Sequence, residues 1–146
     1  MTAAAVALGS NLGDRAAILA RARAAIARLP ATRVAAASAI EETAPLGPVP
    51  QGPYLNQMLR VETALGPWTL LRALLDVEAG EGRVRRERWG PRTLDCDLVL
   101  YGVQAVRLRD LTVPHPEIAN RPFWRRELGE LGFDLERAGG RAETSG

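Results

Sequence analysis

The chain contains no lysine; all 19 of its basic side chains are arginine. A phosphate-binding loop of the G-x-x-x-x-G-K-[ST] type is thereby excluded, since its lysine reaches the terminal phosphates. Any nucleotide bound here must be cradled by arginine, histidine and metal. Cysteine is almost absent too. Cys96, the single one, cannot form an internal disulfide, which fits a reducing, cytoplasmic setting. There is one histidine, His115, and neither a G-x-S-x-G turn nor a paired Cys/His nucleophile. Aromatic residues make up only 5% of the chain and the RNA-recognition aromatic signature is missing, so nucleic acid is not an expected partner. A net charge of +2 supplies no global field toward nucleic acid or membrane. No apolar run approaches the roughly 18 residues of a membrane span. The short apolar start, Met1 to Leu8, lacks the basic flank of a signal peptide.

What is present is a globular composition, 47% hydrophobic and 25% charged over 146 residues, enough for one domain. The expected domain covers 1–136, with a frayed Gly/Ala/Ser-rich tail over 137–146. An apolar run over 3–8 predicts a buried strand ending at Gly9. Asp14 is placed to cap a helix whose Ile18, Leu19, Ala22, Ile26 and Leu29 recur at helical spacing until Pro30 stops it. Residues 34–42 read as a second strand and 54–64 as a third. Pro67 opens a second helix, continued by Leu70, Leu71, Leu74, Leu75 and Val77-Glu78. Residues 94–101 form a further strand, with 103–108 as its hairpin partner. Residues 112–116 are extended, and a last helix covers about 122–131. Two long loops interrupt this order: 44–53, with four prolines and two glycines, and the arginine-dense 80–92. Loops of that length are commonly functional. The order β-α-β-β-α-β is the split βαβ, ferredoxin-like pattern of an α/β (α+β) sandwich with an antiparallel sheet.

The strongest local signal is Asp95-Cys96-Asp97, at the start of a strand. Residues two apart in a strand share a face, so both carboxylates project together and Cys96 points into the core. Two adjacent like charges call for a cation, and Mg²⁺ suits a few carboxylates plus phosphate oxygens. Taken alone, the triplet is weak evidence, and a pair of exposed edge charges is its commoner meaning. Just upstream, five arginines lie within Arg83-Val-Arg85-Arg86-Glu87-Arg88-Trp89-Gly90-Pro91-Arg92. Their rigid donor forks match phosphate oxygens, although a solvated basic loop or a nucleic-acid patch has the same composition. His115 is held between Pro114 and Pro116, stiffly enough to aim at phosphate or to serve a structural part.

Together these segments resemble the 6-hydroxymethyl-7,8-dihydropterin pyrophosphokinases of folate biosynthesis. The likeness is carried by Ala7-Leu-Gly-Ser-Asn-Leu-Gly-Asp14, Thr43-Ala-Pro-Leu-Gly-Pro48, Tyr54-Leu-Asn56, Gly82-Arg-Val-Arg85, Glu87-Arg-Trp-Gly-Pro-Arg-Thr-Leu-Asp-Cys-Asp97 and Leu111-Thr-Val-Pro-His-Pro116 with Arg121. These run in order from Ala7 to about Phe123.

The resemblance implies a ferredoxin-like fold and transfer of diphosphate from ATP to a pterin alcohol, the two small-molecule partners, by a monomer or weak homodimer. It implies two Mg²⁺ ions, held by Asp95 and Asp97. Catalytic parts fall to Arg83, Arg85, Arg92 and Asp97. ATP contacts fall to Glu78, Arg85, Arg88, Arg92, Thr112, His115 and Arg121. The pterin pocket takes Thr43, Leu46, Tyr54, Asn56, Trp89 and Phe123.

The chain departs from the family pattern at three places. Asp110 stands where members often carry arginine, with Arg109 beside it. The segment between Arg85 and Trp89 is one residue shorter. Trp124-Arg-Arg-Glu replaces an apolar Pro-Leu segment after Phe123.

Overall fold

Strand β1, Thr2–Ser10, places Ala4, Val6 and Leu8 on one face of its sheet and Ala5, Ala7 and Gly9 on the other. Large side chains thus face one way and small ones the other. The computed structural model describes residues 1–45, 47–48, 51–81 and 93–138. The sheet around β1 has five antiparallel strands: β2 (Thr32–Ala37), β3 (Glu41–Thr43), β4 (Tyr54–Thr63) and β5 (Asp95–Tyr101) complete it. Its order is β2-β4-β1-β5, and β3 lies on the same flank of β4 as β2. This is the ferredoxin-like arrangement.

The large-residue face is covered by α1 (Arg15–Ala27) and α2 (Pro67–Gly80). Asp14 caps α1 as expected, its Oδ1 accepting from Ala17 N at 3.2 Å. Ile18, Leu19, Ala22 and Ile26 of α1 pack with Leu70 and Leu74 of α2 into the main core. Each such fully buried leucine or isoleucine contributes about 1.5–3 kcal/mol. Among the described residues the small-residue face is covered in part, by α3 (Pro122–Glu130), whose Trp124 and Leu128 meet Ala5, Ala7 and Met58. The uncovered part is a depression over β1.

Three sequence expectations change. The strand over 34–42 is split at Ser38: its backbone N–H still donates to Met58 O at 2.9 Å, but the Met58 N–H goes to Ser38 Oγ at 2.9 Å in place of the Ser38 carbonyl. The segment 103–108 does not return along β5. Instead β6 (Val106–Leu108) pairs with β7 (Leu111–Val113) through the tight turn Arg109-Asp110. Groups of β5 are engaged elsewhere: Cys96 N donates to Glu78, and Val99 O accepts from His115 N at 2.9 Å. The extended stretch over 112–116 is only partly so. It carries a cis Val113–Pro114 bond and enters a short 3₁₀ helix at Pro116–Asn120.

Val99 is a bulge: Val6 pairs with Leu98 and Ala5 with Leu100, leaving Val99 between them. Past the bulge the facing of β5 reverses, so Tyr101 returns to the helix side. Arg137 and Ala138 close a turn on Asp134 O, at 3.2 Å each. No helix among the described residues is long and apolar enough to cross a membrane.

Candidate active site

The depression is a cavity of about 570 Å³, within the range of small-molecule sites. Its floor is set by sheet register. Gly9 pairs with Asn56 on one side and Asp95 on the other; Ala7 pairs with Met58 and Asp97. Asn56, Gly9 and Asp95 therefore form one row across the sheet, its ends about 10 Å apart by strand spacing. Gly9 matters through what it lacks: a Cβ there would stand 3.4 Å from both Asn56 Oδ1 and the Tyr54 ring. The bare backbone leaves the row open to a flat molecule.

On the β4 side, Tyr54 and Asn56 share this face with Thr43 of β3, because Thr43 pairs directly with Tyr54. Asn56 Nδ2 donates to Thr43 Oγ1 at 2.5 Å, which fixes which way the amide points. Thr43 thus meets this wall through its hydroxyl. Phe123, at the first turn of α3, closes this wall.

The third wall is the strap from β7 into α3, with Thr112, His115 and Arg121. The bulge at Val99 anchors it through the His115 backbone. His115 Nδ1 accepts the Glu117 N–H at 3.1 Å, so the ring proton sits on Nε2. The ring packs edge-on to Trp124, centroids 5.1 Å apart. Burial, then the Arg121 charge, hold the imidazole pKa below its usual value, against a weaker pull from Glu117. His115 is therefore a neutral donor at neutral pH. Arg121 lies over the Trp124 ring at 4.5 Å, and its Nε is buried without a hydrogen-bond partner among the described residues. A buried donor of that kind awaits an acceptor oxygen. Arg109 and Asp110 both line the cavity, so the arginine displaced by one position still reaches the site.

Asp95 and Asp97 project into the cavity from the same face of β5, half-buried, as period two requires. Cys96 faces the main core, 3% exposed. Burial, followed by Glu78, Asp97, Asp95 and Glu81, pushes its thiol pKa up. Among the described residues no group of three His, Cys, Asp or Glu side chains is arranged to hold a metal ion. Two hard carboxylates at an open cavity are a donor set for an ion that takes its other ligands from phosphate and water, as Mg²⁺ does. Glu78 is buried behind β5, its Oε2 on Cys96 N at 2.7 Å.

Ten of the expected site residues thus line one cavity: Thr43, Tyr54, Asn56, Glu78, Asp95, Asp97, Thr112, His115, Arg121 and Phe123. Leu46, Arg83, Arg85, Arg88, Trp89 and Arg92 lie outside the described residues. The sequence reading missed Trp124, which backs both His115 and Arg121; its place beside Phe123 was the only signal. It also missed the floor formed by Ala7 and Gly9, although the alternation of small residues in β1 marks it.

A model of the 7,8-dihydro-6-hydroxymethylpterin-pyrophosphokinase family matches residues 5–132. The chain is similar to proteins named 2-amino-4-hydroxy-6-hydroxymethyldihydropteridine pyrophosphokinase in several bacteria. That of Haemophilus influenzae is 42% identical over 135 residues, 92% of this chain and 84% of that protein. That of Pseudomonas aeruginosa is 43% identical over 136 residues, 93% and 84% of the two chains. That of Bacillus subtilis is 38% identical over 139 residues, 95% and 83%. The matched span takes in every wall of the cavity, from the β1 floor to α3, and on this agreement the chain belongs to the 7,8-dihydro-6-hydroxymethylpterin-pyrophosphokinase family.

Proposed function

We propose that the chain transfers the diphosphate group of ATP to 6-hydroxymethyl-7,8-dihydropterin, giving AMP and the pterin diphosphate in folate biosynthesis. One observation carries this reading. A single cavity sets Asn56, Tyr54 and Phe123 against Asp95 and Asp97 across a bare Gly9, with His115 and Arg121 on a third side. The first wall suits a flat heteroaromatic with an amide edge, and the other two suit a polyphosphate.

Asn56, oriented by Thr43, reads the pterin's amide edge with both a donor and an acceptor. Tyr54 and Phe123 bound the ring, and the family resemblance adds Trp89 and Leu46 as pterin contacts. His115 Nε2–H, the Arg121 guanidinium and Thr112 hold phosphate oxygens, joined by Arg85, Arg88 and Arg92. Arg83, Arg85 and Arg92 meet charge on the transferring group. Two Mg²⁺ ions, held by Asp95 and Asp97, supply charge neutralisation and a template for the phosphates. Holding the alcohol and the β-phosphate in line can lower the barrier by about 7–11 kcal/mol. We place the reaction in the cytosol, where the lone thiol of Cys96 stays reduced.

The test is a product assay. Folded protein with ATP, Mg²⁺ and the pterin alcohol yields AMP and pterin diphosphate in equal amounts on ion-exchange chromatography. ADP in place of AMP, or no turnover, refutes the proposal.

A further inference from the structure

The buried stripe of α2 runs Leu70, Leu74, Glu78, at four-residue spacing. Two core positions hold leucine and the next holds a carboxylate, 4% exposed. A buried carboxylate is costly unless hydrogen bonds offset its lost hydration. Glu78 Oε2 has such a bond, 2.7 Å from the backbone nitrogen of Cys96. That distance is in the range of charge-assisted bonds. Among the described residues β5 is the edge strand of its sheet, paired with β1 alone. Cys96 is aligned with Leu8 of β1, yet its N–H is taken by the helix behind the strand.

We propose that Glu78 is a positioning residue: by gripping the Cys96 peptide it fixes the stretch of edge strand from which Asp95 and Asp97 project, and so sets the two carboxylates for Mg²⁺. This rests on the reading of Asp95 and Asp97 as metal ligands. Without the grip, the residue between the two ligands would carry an unpaired donor at a sheet edge. Metal carboxylates need placement to within about half an ångström. A buried carboxylate is also a poor partner for a polyphosphate, since like charges repel in a low dielectric.

Because the chain has one cysteine, labelling with ¹⁵N-cysteine gives a single amide signal, that of Cys96. Its hydrogen exchange is read in metal-free protein. The same signal is then titrated with Mg²⁺ in the presence of a non-hydrolysable ATP analogue. Glu78→Met keeps volume and removes the acceptor; Glu78→Gln keeps an acceptor and removes the charge. The expected result in Glu78→Met is at least tenfold faster exchange and a Mg²⁺ half-saturation raised ten- to a hundredfold, the usual cost of losing a group that orients a ligand. In Glu78→Gln, which retains an acceptor, both quantities stay short of the tenfold loss that removing the orienting group brings. A ten-fold loss in Glu78→Gln, or unchanged exchange and Mg²⁺ response in folded Glu78→Met, overturns the proposal. If Glu78→Met does not fold, Glu78→Gln decides by the same threshold. Asp95→Asn, run in parallel, separates the two readings. A Mg²⁺ response lost there but intact in Glu78→Met sinks the grip alone. A response that survives Asp95→Asn sinks the metal reading, and the grip's purpose with it.

Discussion

Glu127 of α3 is 4% exposed, and its carboxyl lies against the Glu41 carboxylate. Burial, then the neighbouring Glu41 carboxylate, push its pKa up to about 9; Glu130 adds to the rise and Arg126 opposes it. In the unfolded chain the group titrates near 4.5. Between those values the folded protein holds a proton that the unfolded chain releases. Its contribution is therefore full below pH 4.5 and is lost as pH rises through about 9. One proton corresponds to about 1.36 kcal/mol per pH unit, or about 3.4 kcal/mol from pH 5 to 7.5. Glu41 shares the charge, so a loss of about 2–3 kcal/mol is expected over that interval. Glu127→Gln has the same shape and no charge. It should match wild type near pH 5 and exceed it by about 2–3 kcal/mol at pH 7.5, roughly 5–10 °C in Tm. The assay is urea and thermal unfolding of both proteins from pH 5 to 9. Taking the difference between them cancels His115, whose lowered pKa acts in the opposite direction. A difference that stays flat across this range would falsify the protonated-carboxyl account.

Asp95→Ala and Asp97→Ala should each leave a folded protein with less than about a tenth of wild-type turnover, 1.4 kcal/mol or more of barrier; more activity in either variant removes it from the metal site. Gly9→Ala puts a methyl on the floor beside Asn56 and Tyr54. It should weaken pterin binding about tenfold by calorimetry, or 1.4 kcal/mol, with ATP binding unchanged; unaltered pterin affinity would show that the ring does not lie on β1. On the proposed role His115 meets phosphate as a neutral donor, so wild type and His115→Gln should show parallel Mg²⁺-ATP affinity curves between pH 6.5 and 8. A tenfold loss across that range confined to wild type would mean that imidazolium is the binding form.

Much of the site was legible because its geometry is local. Period two alone puts Asp95 and Asp97 on one face with Cys96 on the other, and Asp14 and Pro67 mark helix starts by the groups they cap or lack. The order of elements followed from the spacing of apolar residues. Less legible was whatever depends on one segment meeting another far along the chain. Ser38 breaks a strand only because Met58 stands opposite to donate to it. The partner of 106–108 is β7 and not β5, since groups of β5 are engaged by Glu78 and His115.

By itself, then, the sequence determined the element order, the shared face of the two aspartates and the rigid setting of His115, since each is fixed by neighbours within a few residues. Only the tertiary structure decided that Gly9 lies between Asn56 and Asp95, that Val99 bulges to anchor the His115 strap, and that Glu78 closes on Cys96. These depend on the register of β1 against strands some 50 and 90 residues away. A one-residue slip would turn every one of those side chains to the opposite face. That register is set by burying Val6 and Leu8 against α1 and α2 as a whole, a condition that no single stretch of the sequence carries.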